Sequence, residues 1–141
     1  MPTWFIAFCT HPITLLMVGG GVGTNARYWL GKLVRQIQGL DVLFPWATFF
    51  INVSGSLILG LLAATYLYQK DIHNQSPTRD LWFLLLGTGF CGGFTTFSTF
   101  SLETYELIGE GKTWIALLYV IGSVGGGLLG VWLAVRWWSG S

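Results

Sequence analysis

Long apolar stretches, separated by short connectors that carry most of the charge, dominate the pattern of the chain. A helix needs roughly 20 consecutive apolar residues to cross the hydrocarbon core of a bilayer. The pattern predicts four transmembrane helices, over about residues 13–30, 45–67, 81–101 and 113–138. We therefore expect an all-α membrane protein in which residues 1–141 form a single four-helix transmembrane domain.

Composition supports residence in a membrane. Charged residues make up 9% of the chain and hydrophobic residues 52%, whereas roughly a quarter of the residues in soluble domains are charged. The net charge of +1 gives no electrostatic basis for binding nucleic acid. The first 12 residues lack the basic segment and the small-residue cleavage site of a signal peptide, so we expect them to be retained.

Lysine and arginine are divided almost evenly between the two predicted faces of the membrane. One face holds Lys70, Arg79 and Arg136, and the other holds Lys32, Arg35 and Lys112, with Arg27 near the end of the first span. An excess of these residues normally marks the cytoplasmic face. The near balance leaves two alternatives, a topology set by a weak bias or insertion in both orientations. Two oppositely inserted copies could form a closed, antiparallel homodimer.

The third predicted span ends in GFCGGFTTFSTFS, residues 89–101, which contains three glycines and five hydroxyl groups. Non-helical backbone at membrane depth is tolerated only against protein or a water-filled path. The segment therefore predicts a break in the third helix at a buried or hydrated place. A continuous helix whose serines and threonines bond to their own carbonyls is the alternative.

Aromatic and hydroxyl groups near this break are candidates for an anion path. If helix resumes after Thr96, Phe97 and Phe100 share one face, because residues three apart are neighbours on a helix. The edge of a phenyl ring carries partial positive charge. Ring edges and hydroxyl donors would suit an anion, although such rings also pack in cores or face lipid.

The second and fourth spans add polar groups at helical spacing. Asn52 lies at mid-depth, with Thr48 four residues before it and Ser56 four residues after it. Its amide could bond across helices or donate to an anion. Tyr119 and Ser123 make a weaker pair of the same kind in the fourth span.

Charged side chains are scarce inside the spans. No aspartate or glutamate lies within the spans proper, and Glu103 follows the third span. A proton-coupled antiporter usually carries an intramembrane carboxylate, so a small drug–proton antiporter is the less favoured alternative, with a structural membrane subunit as another. Arg27 could face a vestibule or extend to the interface. No nucleophile–base pair or metal-ligand cluster indicates an enzyme.

The residues of three segments resemble the Fluc (CrcB) family of microbial fluoride channels. GGGVGTNARYWLG at 19–31 is similar to GGxxGAxxRY, and PWATFFINVSGSLILG at 45–60 is similar to PxGTLxVNxxGSFxLG. GFCGGFTTFSTFSLE at 89–103 is similar to the long pattern GxxGGxTTFSTFxxE. Thr24, Ala47, Phe49 and Ile51 depart from these patterns, at positions away from the inferred anion contacts. The resemblance covers nearly the whole chain.

The resemblance implies a dual-topology antiparallel homodimer in the plasma (inner) membrane that exports fluoride passively and protects against its toxicity. It implies a fluoride path at Asn52, Phe97 and Phe100. The polar positions matched near that path are Thr48, Ser98, Thr99, Ser101 and Glu103, with Arg27 matching the arginine of the first pattern and Tyr119 added from the spacing above. It also implies a structural Na⁺ at the dimer axis, held by backbone carbonyls of Gly92 and Thr95.

Overall fold

The computed structural model describes residues 2–39, 43–72 and 77–139, and every regular element in these ranges is helical. The helices are α1 (Thr3–Cys9), α2 (Pro12–Gln38), α3 (Trp46–Ile72), α4 (Pro77–Trp82), a π-helix (Phe83–Cys91), α5 (Gly92–Phe94), α6 (Phe97–Gly109) and α7 (Thr113–Ser139). Residues 40–42 and 73–76, from two predicted connectors, lie outside the described residues. The prediction of an all-α protein is confirmed for the ranges given.

Three segments in the described ranges are long and apolar enough to cross a membrane: Trp46–Tyr66, Asp80–Gly109 and Thr113–Trp138. A fourth results if α1 and α2, which meet at a bend of 51°, are counted together as one span. The described ranges thus contain three to four apolar helical segments long enough to span a membrane.

The first predicted span lies inside α2, which is longer than the apolar run. Pro12 occupies the start of α2, where its missing N–H is no loss, and His11 Nδ1 accepts the N–H of Ile13 at 3.3 Å. The helix continues past Leu30 because lysine, arginine and glutamine are good helix formers. It ends at Gly39, whose φ of 77° suits glycine.

The third predicted segment is not a regular α-helix throughout. α4, the π-helix and α5 follow one another from Pro77 to Phe94. Thr95 and Thr96 are extended, with φ/ψ of −80°/162° and −150°/111°, and α6 begins at Phe97. Thr96 caps α6, because its hydroxyl oxygen accepts the N–H of Thr99 at 3.2 Å.

Glycines bring α2 against the backbone of this third segment. Gly19 and Gly23 are buried on one face of α2. A Cβ atom on Gly19 would collide with the carbonyl of Leu85, and one on Gly23 would collide with the carbonyl of Phe90. Small residues at helix interfaces allow such close approach in lipid, so these glycines fix the distance between α2 and the residues before the extended pair.

α7 packs along α3 and against α6. Gly126 of α7 faces Val53 of α3, and Gly60 of α3 faces the backbone of Val131. The buried cluster between α6 and α7 consists of Phe100, Leu107, Ala116 and Tyr119, with Phe44 and Phe49 packed against it. α3, α6 and α7 therefore pack around this buried cluster.

We expect Gly23→Ala to lower the free energy of unfolding by about 1–3 kcal/mol, because the new methyl group must displace the backbone of the third segment. Gly21→Ala is the matched control, since no neighbouring atom in the described ranges lies within 4 Å of the Cβ position there. The control should be neutral or stabilising by up to ~1 kcal/mol. Denaturation of both variants in detergent micelles measures the difference; equal stability of the two would contradict this account of the α2 interface.

Candidate functional site

A hollow of about 600 Å³ lies where α3, the third segment and α7 meet. We call it the central hollow; its lining includes Asn52, Gly92, Thr95, Phe97, Phe100 and Ser123. The hollow therefore brings together residues from three predicted spans. Five of these six are residues that the sequence indicates for an anion path or a cation site.

Asn52 is tied to the backbone of Thr96 through both arms of its amide. Its Oδ1 accepts the N–H of Thr96 at 2.8 Å, and its Nδ2 donates to the carbonyl of Thr96 at 3.1 Å. These two bonds satisfy backbone groups that leave the helical ladder at the extended residues. One amide N–H of Asn52 remains for another acceptor.

Phe97 and Phe100 differ in their surroundings although both line the central hollow. Phe97 is 80% exposed on this chain, whereas Phe100 is buried. The ring centroid of Phe100 lies 5.0 Å from that of Tyr119 and 5.8 Å from that of Phe97. Phe100 is therefore held by contacts within the chain, whereas the ring of Phe97 is largely exposed.

Glu103 lies between two hydroxyl donors from other helices. Thr48 Oγ1 donates to Glu103 Oε1 at 2.9 Å, and Tyr119 Oη donates to Glu103 Oε2 at 2.7 Å. Thr48 and Tyr119 are buried. Because each carboxylate oxygen has its own donor, the side chain is held in one orientation.

A smaller hollow of about 310 Å³ begins at Glu103 and continues past Glu106, Glu110 and Lys112. The ammonium group of Lys112 pairs with Glu110 at 2.6 Å. Glu103 thus contacts the buried side chains of Thr48 and Tyr119 on one side and lines a charged hollow at the end of α6 on the other.

The remaining hydroxyl groups of the third segment bond close to their own positions. Thr96 Oγ1 donates to Thr99 Oγ1 at 3.0 Å and lies 3.3 Å from Ser98 Oγ. Ser101 Oγ donates to the carbonyl of Phe97 at 2.9 Å, as serines inside helices commonly do. The structure groups Ser98 and Thr99 around the cap of α6, and directs Ser101 to its own helix.

Arg27 contacts the third segment directly. Its Nη1 donates to the carbonyl of Thr95 at 3.2 Å, and Thr24 Oγ1 donates to the carbonyl of Gly93 at 3.4 Å. Helix C-termini leave carbonyls without intrahelical partners and favour positive charge. Sequence reasoning missed this role; the available indication was the helical spacing of Gly20, Gly23, Thr24 and Arg27, which puts the donors on the packing face.

The residues matched to the cation site are adjacent to open space. No atom of the described residues lies within 4 Å of the Cβ position of Gly92, and both Gly92 and Thr95 line the central hollow. In the described ranges, no group of three or more histidine, cysteine, aspartate or glutamate side chains is arranged to hold a metal. A cation bound in this place would depend on carbonyl and hydroxyl oxygens.

Ser123 is a further residue of the hollow. Its buried Oγ has no hydrogen-bond partner among the described residues. Buried polar atoms in proteins nearly always have a partner, so this hydroxyl is a polar group beside the central hollow that the described residues leave unsatisfied. Its spacing from Tyr119 is the feature of the sequence that pointed to it.

Comparison with known families matches residues 14–135 to the family described as CrcB-like protein, Camphor Resistance (CrcB). The chain belongs to the CrcB family. The resemblance drawn from the three sequence segments is thereby confirmed. As a CrcB-family member with several apolar helices, the chain is a multi-pass membrane protein, which in bacteria means the plasma membrane.

Curated relatives agree with this assignment over most of their length. The chain is 43% identical over 118 residues to the "Fluoride-specific ion channel FluC" of Novosphingobium aromaticivorans, covering 84% of this chain and 88% of the relative. It is 44% identical over 122 residues to the protein of that name from Oceanobacillus iheyensis, covering 86% and 84%. It is 40% identical over 124 residues to "Fluoride-specific ion channel FluC 2" of Rhodococcus jostii, covering 88% and 96%.

We expect Tyr119→Phe to lower the free energy of unfolding by about 1–3 kcal/mol, because it leaves one oxygen of a partly buried carboxylate without its donor. The ring contact with Phe100 is kept, so the change isolates the hydrogen bond. Tyr105→Phe is the control, since Tyr105 is exposed and its substitution should change stability by less than ~0.5 kcal/mol. Denaturation in detergent micelles tests this; an unchanged Tyr119→Phe variant would show that Glu103 does not need the bond.

Proposed function

We propose that the protein is a fluoride-selective channel that lets fluoride leave the cytoplasm passively. The observation that carries the proposal is 43% identity over 84% of the chain to a protein named as a fluoride-specific ion channel. Conduction of an ion involves no chemical conversion, and the protein is not an enzyme. The antiporter alternative is not favoured, because these relatives are named as fluoride channels.

The chemistry of the central hollow suits a small, strongly hydrated anion. Such an ion needs several donors to replace water, yet it must not be held so strongly that it cannot leave. The free amide N–H of Asn52, the hydroxyl of Ser123 and the ring edges of Phe97 and Phe100 offer weak, partly positive contacts. Thr48, Tyr119 and Glu103 continue the polar line toward the charged hollow at the end of α6.

Acid–base chemistry supplies the reason for a passive channel. Hydrogen fluoride is a weak acid that crosses membranes as a neutral molecule and dissociates in the cytoplasm, where the anion is trapped. A channel selective for fluoride releases the anion down its electrochemical gradient when the outside is acidic. The proposed role is therefore protection against fluoride toxicity.

We further infer that two copies assemble as an antiparallel, dual-topology homodimer of one four-helix domain each, with the extended residues Thr95 and Thr96 inside the membrane. The even division of lysine and arginine supports insertion in both orientations. The exposed ring of Phe97 supports a partner copy, because a single chain leaves that wall of the central hollow incomplete.

The backbone around Gly92 and Thr95 fits a structural Na⁺ shared by two copies. Both residues line the central hollow, and open space lies beside Gly92. The Thr95 carbonyl already accepts from Arg27, but a carbonyl oxygen has two lone pairs. When bound, the ion would supply positive charge that holds the carbonyls of the two copies together.

Reconstituted protein tests the channel. Proteoliposomes loaded with fluoride and chloride should release fluoride, and not chloride, when a potassium conductance balances the charge. Phe100→Ile should slow this efflux by at least about tenfold, equivalent to ~1.4 kcal/mol in the barrier, because the ring edge is lost from the path.

Phe50→Ile is the control, since Phe50 is exposed on α3 and is not among the residues placed in the path. Size-exclusion chromatography must show the same assembly for both variants. Absence of fluoride efflux from the unmodified protein, or drug-dependent proton movement in its place, would refute the proposed function.

Dual topology predicts that added charge can fix the orientation. Thr3→Lys with Thr78→Lys should bias the chain one way, and Gln36→Lys with Gln38→Lys the other, because lysines near the ends of spans favour the cytoplasmic face. Each variant expressed alone should lose fluoride efflux, and co-expression of the two should restore it. Full activity of both biased variants alone would indicate a parallel assembly or a monomer.

A further inference from the structure

We propose that Asn52 is a positioning residue for the cation site, because its hold on Thr96 keeps the carbonyl of Gly92 outside helical hydrogen bonding. The inference rests on the proposed function for its cation, Na⁺. It gives Asn52 a second role beside that of an anion donor. The backbone bonds on either side of the extended residues carry the argument.

The regular series of helical hydrogen bonds stops just before the bond that would use the carbonyl of Gly92. In an α-helix, the N–H of each residue donates to the carbonyl four residues earlier. Thr95 follows this rule, since its N–H donates to the carbonyl of Cys91 at 3.0 Å. The next bond of the ladder would join the N–H of Thr96 to the carbonyl of Gly92, but that N–H donates to Asn52 Oδ1 at 2.8 Å.

The position of Asn52 relative to Thr96 is fixed at two further points. Asn52 Nδ2 donates to the carbonyl of Thr96 at 3.1 Å, so the amide pairs with both backbone groups of one residue. One turn along α3, Gly55 packs so closely on Thr95 that a Cβ atom there would collide with the Thr95 methyl group. α3 therefore holds the extended pair by a side chain and by direct packing.

Without the amide, the N–H of Thr96 would need another acceptor. Thr96 is only 7% exposed, and a buried N–H without a partner is costly. The Gly92 carbonyl is the acceptor that regular helix geometry provides. α5 would then extend toward α6, and the carbonyl matched to the Na⁺ site would be occupied.

Substitutions at Asn52 can separate this role from donation to an anion. Aspartate keeps an oxygen that can accept the N–H of Thr96, but it lacks the amide N–H₂. Leucine is similar in size and lacks both polar arms. We therefore expect Asn52→Leu to weaken Na⁺ binding. Asn52→Asp should bind Na⁺ at least as tightly as the unmodified protein, because its oxygen still accepts the N–H of Thr96 and its negative charge attracts the cation. Both variants should impair fluoride conduction.

Asn25 provides a matched control. It is also an asparagine in an apolar helical segment, but its Nδ2 donates to the carbonyl of Gly21 in its own helix at 2.8 Å. Asn25→Leu removes an amide from a span without touching the backbone of Thr96. Any loss of Na⁺ binding that comes only from lower polarity of the protein would appear in this variant as well.

The experiment is equilibrium binding of ²²Na⁺ to the purified protein in detergent micelles, with N-methylglucamine as the replacement cation and size-exclusion chromatography to check assembly. The unmodified protein and Asn25→Leu should bind Na⁺ with affinities within about threefold of one another, and Asn52→Asp should bind it at least as tightly. Asn52→Leu should bind at least about tenfold more weakly, because a carbonyl bonded to an N–H in each copy must release it first.

Unchanged Na⁺ affinity in Asn52→Leu would overturn the inference while leaving the proposed Na⁺ site intact. A lack of saturable Na⁺ binding in the unmodified protein would instead refute the Na⁺ site itself, and the inference with it. Fluoride efflux is measured separately, so the proposed channel function would not be refuted by that result. If Asn52→Leu does not assemble, Asn52→Ser replaces it in the same titration, because the serine hydroxyl is too short to reach Thr96. Retained affinity in that variant would also overturn the inference.

Discussion

In a chain that spans a membrane, every backbone N–H and C=O group that leaves a helix must find a partner within the protein or face a water-filled cavity. The two extended residues of the third segment meet this constraint through their neighbours. The N–H of Thr95 bonds to Cys91, its carbonyl accepts from Arg27, and both backbone groups of Thr96 bond to Asn52. Interrupting the helix is therefore possible only because α2 and α3 lie on either side with these side chains in place.

The glycines of α2 make these contacts with the backbone of the third segment possible. An arginine reaches the carbonyl of Thr95 only if its helix runs close to the third segment, and Gly19 and Gly23 remove the Cβ atoms that would prevent this. Gly55 does the same for α3 beside Thr95. The polar contacts therefore depend on the close packing, because wider spacing between the helices would move the side-chain donors away from the backbone carbonyls.

The sequence predicted those parts of the structure that depend on local composition. The apolar runs predicted the start of α3 and both ends of α7 to within a few residues. The glycines and threonines of residues 89–101 indicated the place where Thr95 and Thr96 are extended. α2 and α6 continue beyond the predicted spans, because charged and polar helix formers extend a helix after its apolar run ends. The position of that interruption within a bilayer stays a prediction.

Other features depend on how separate helices meet, and the sequence could not specify them. The contact of Arg27 with Thr95 requires the register of α2 against the third segment, and the grouping of Thr48, Glu103 and Tyr119 requires three helices at once. The π-helix from Phe83 to Cys91 has no distinct residue pattern, and it lies where Gly19 and Gly23 of α2 approach its backbone. Ser123 shows the same limit, because only the fold reveals that its hydroxyl has no partner in the part of the chain that the structure describes.

On the proposed function, one short stretch of backbone serves both an anion and a cation. Asn52 uses one oxygen and one N–H on Thr96 and has one N–H left for an anion, so the donor offered to fluoride is oriented by the bonds that free the Gly92 carbonyl. A fixed donor suits a small anion, because an amide that is already oriented loses little rotational freedom when the ion arrives. The same fixation limits how strongly the site can bind, since Asn52 cannot turn its full N–H₂ group toward the ion. An anion held by a single amide N–H, a hydroxyl and ring edges can be bound and released, which is the condition for conduction.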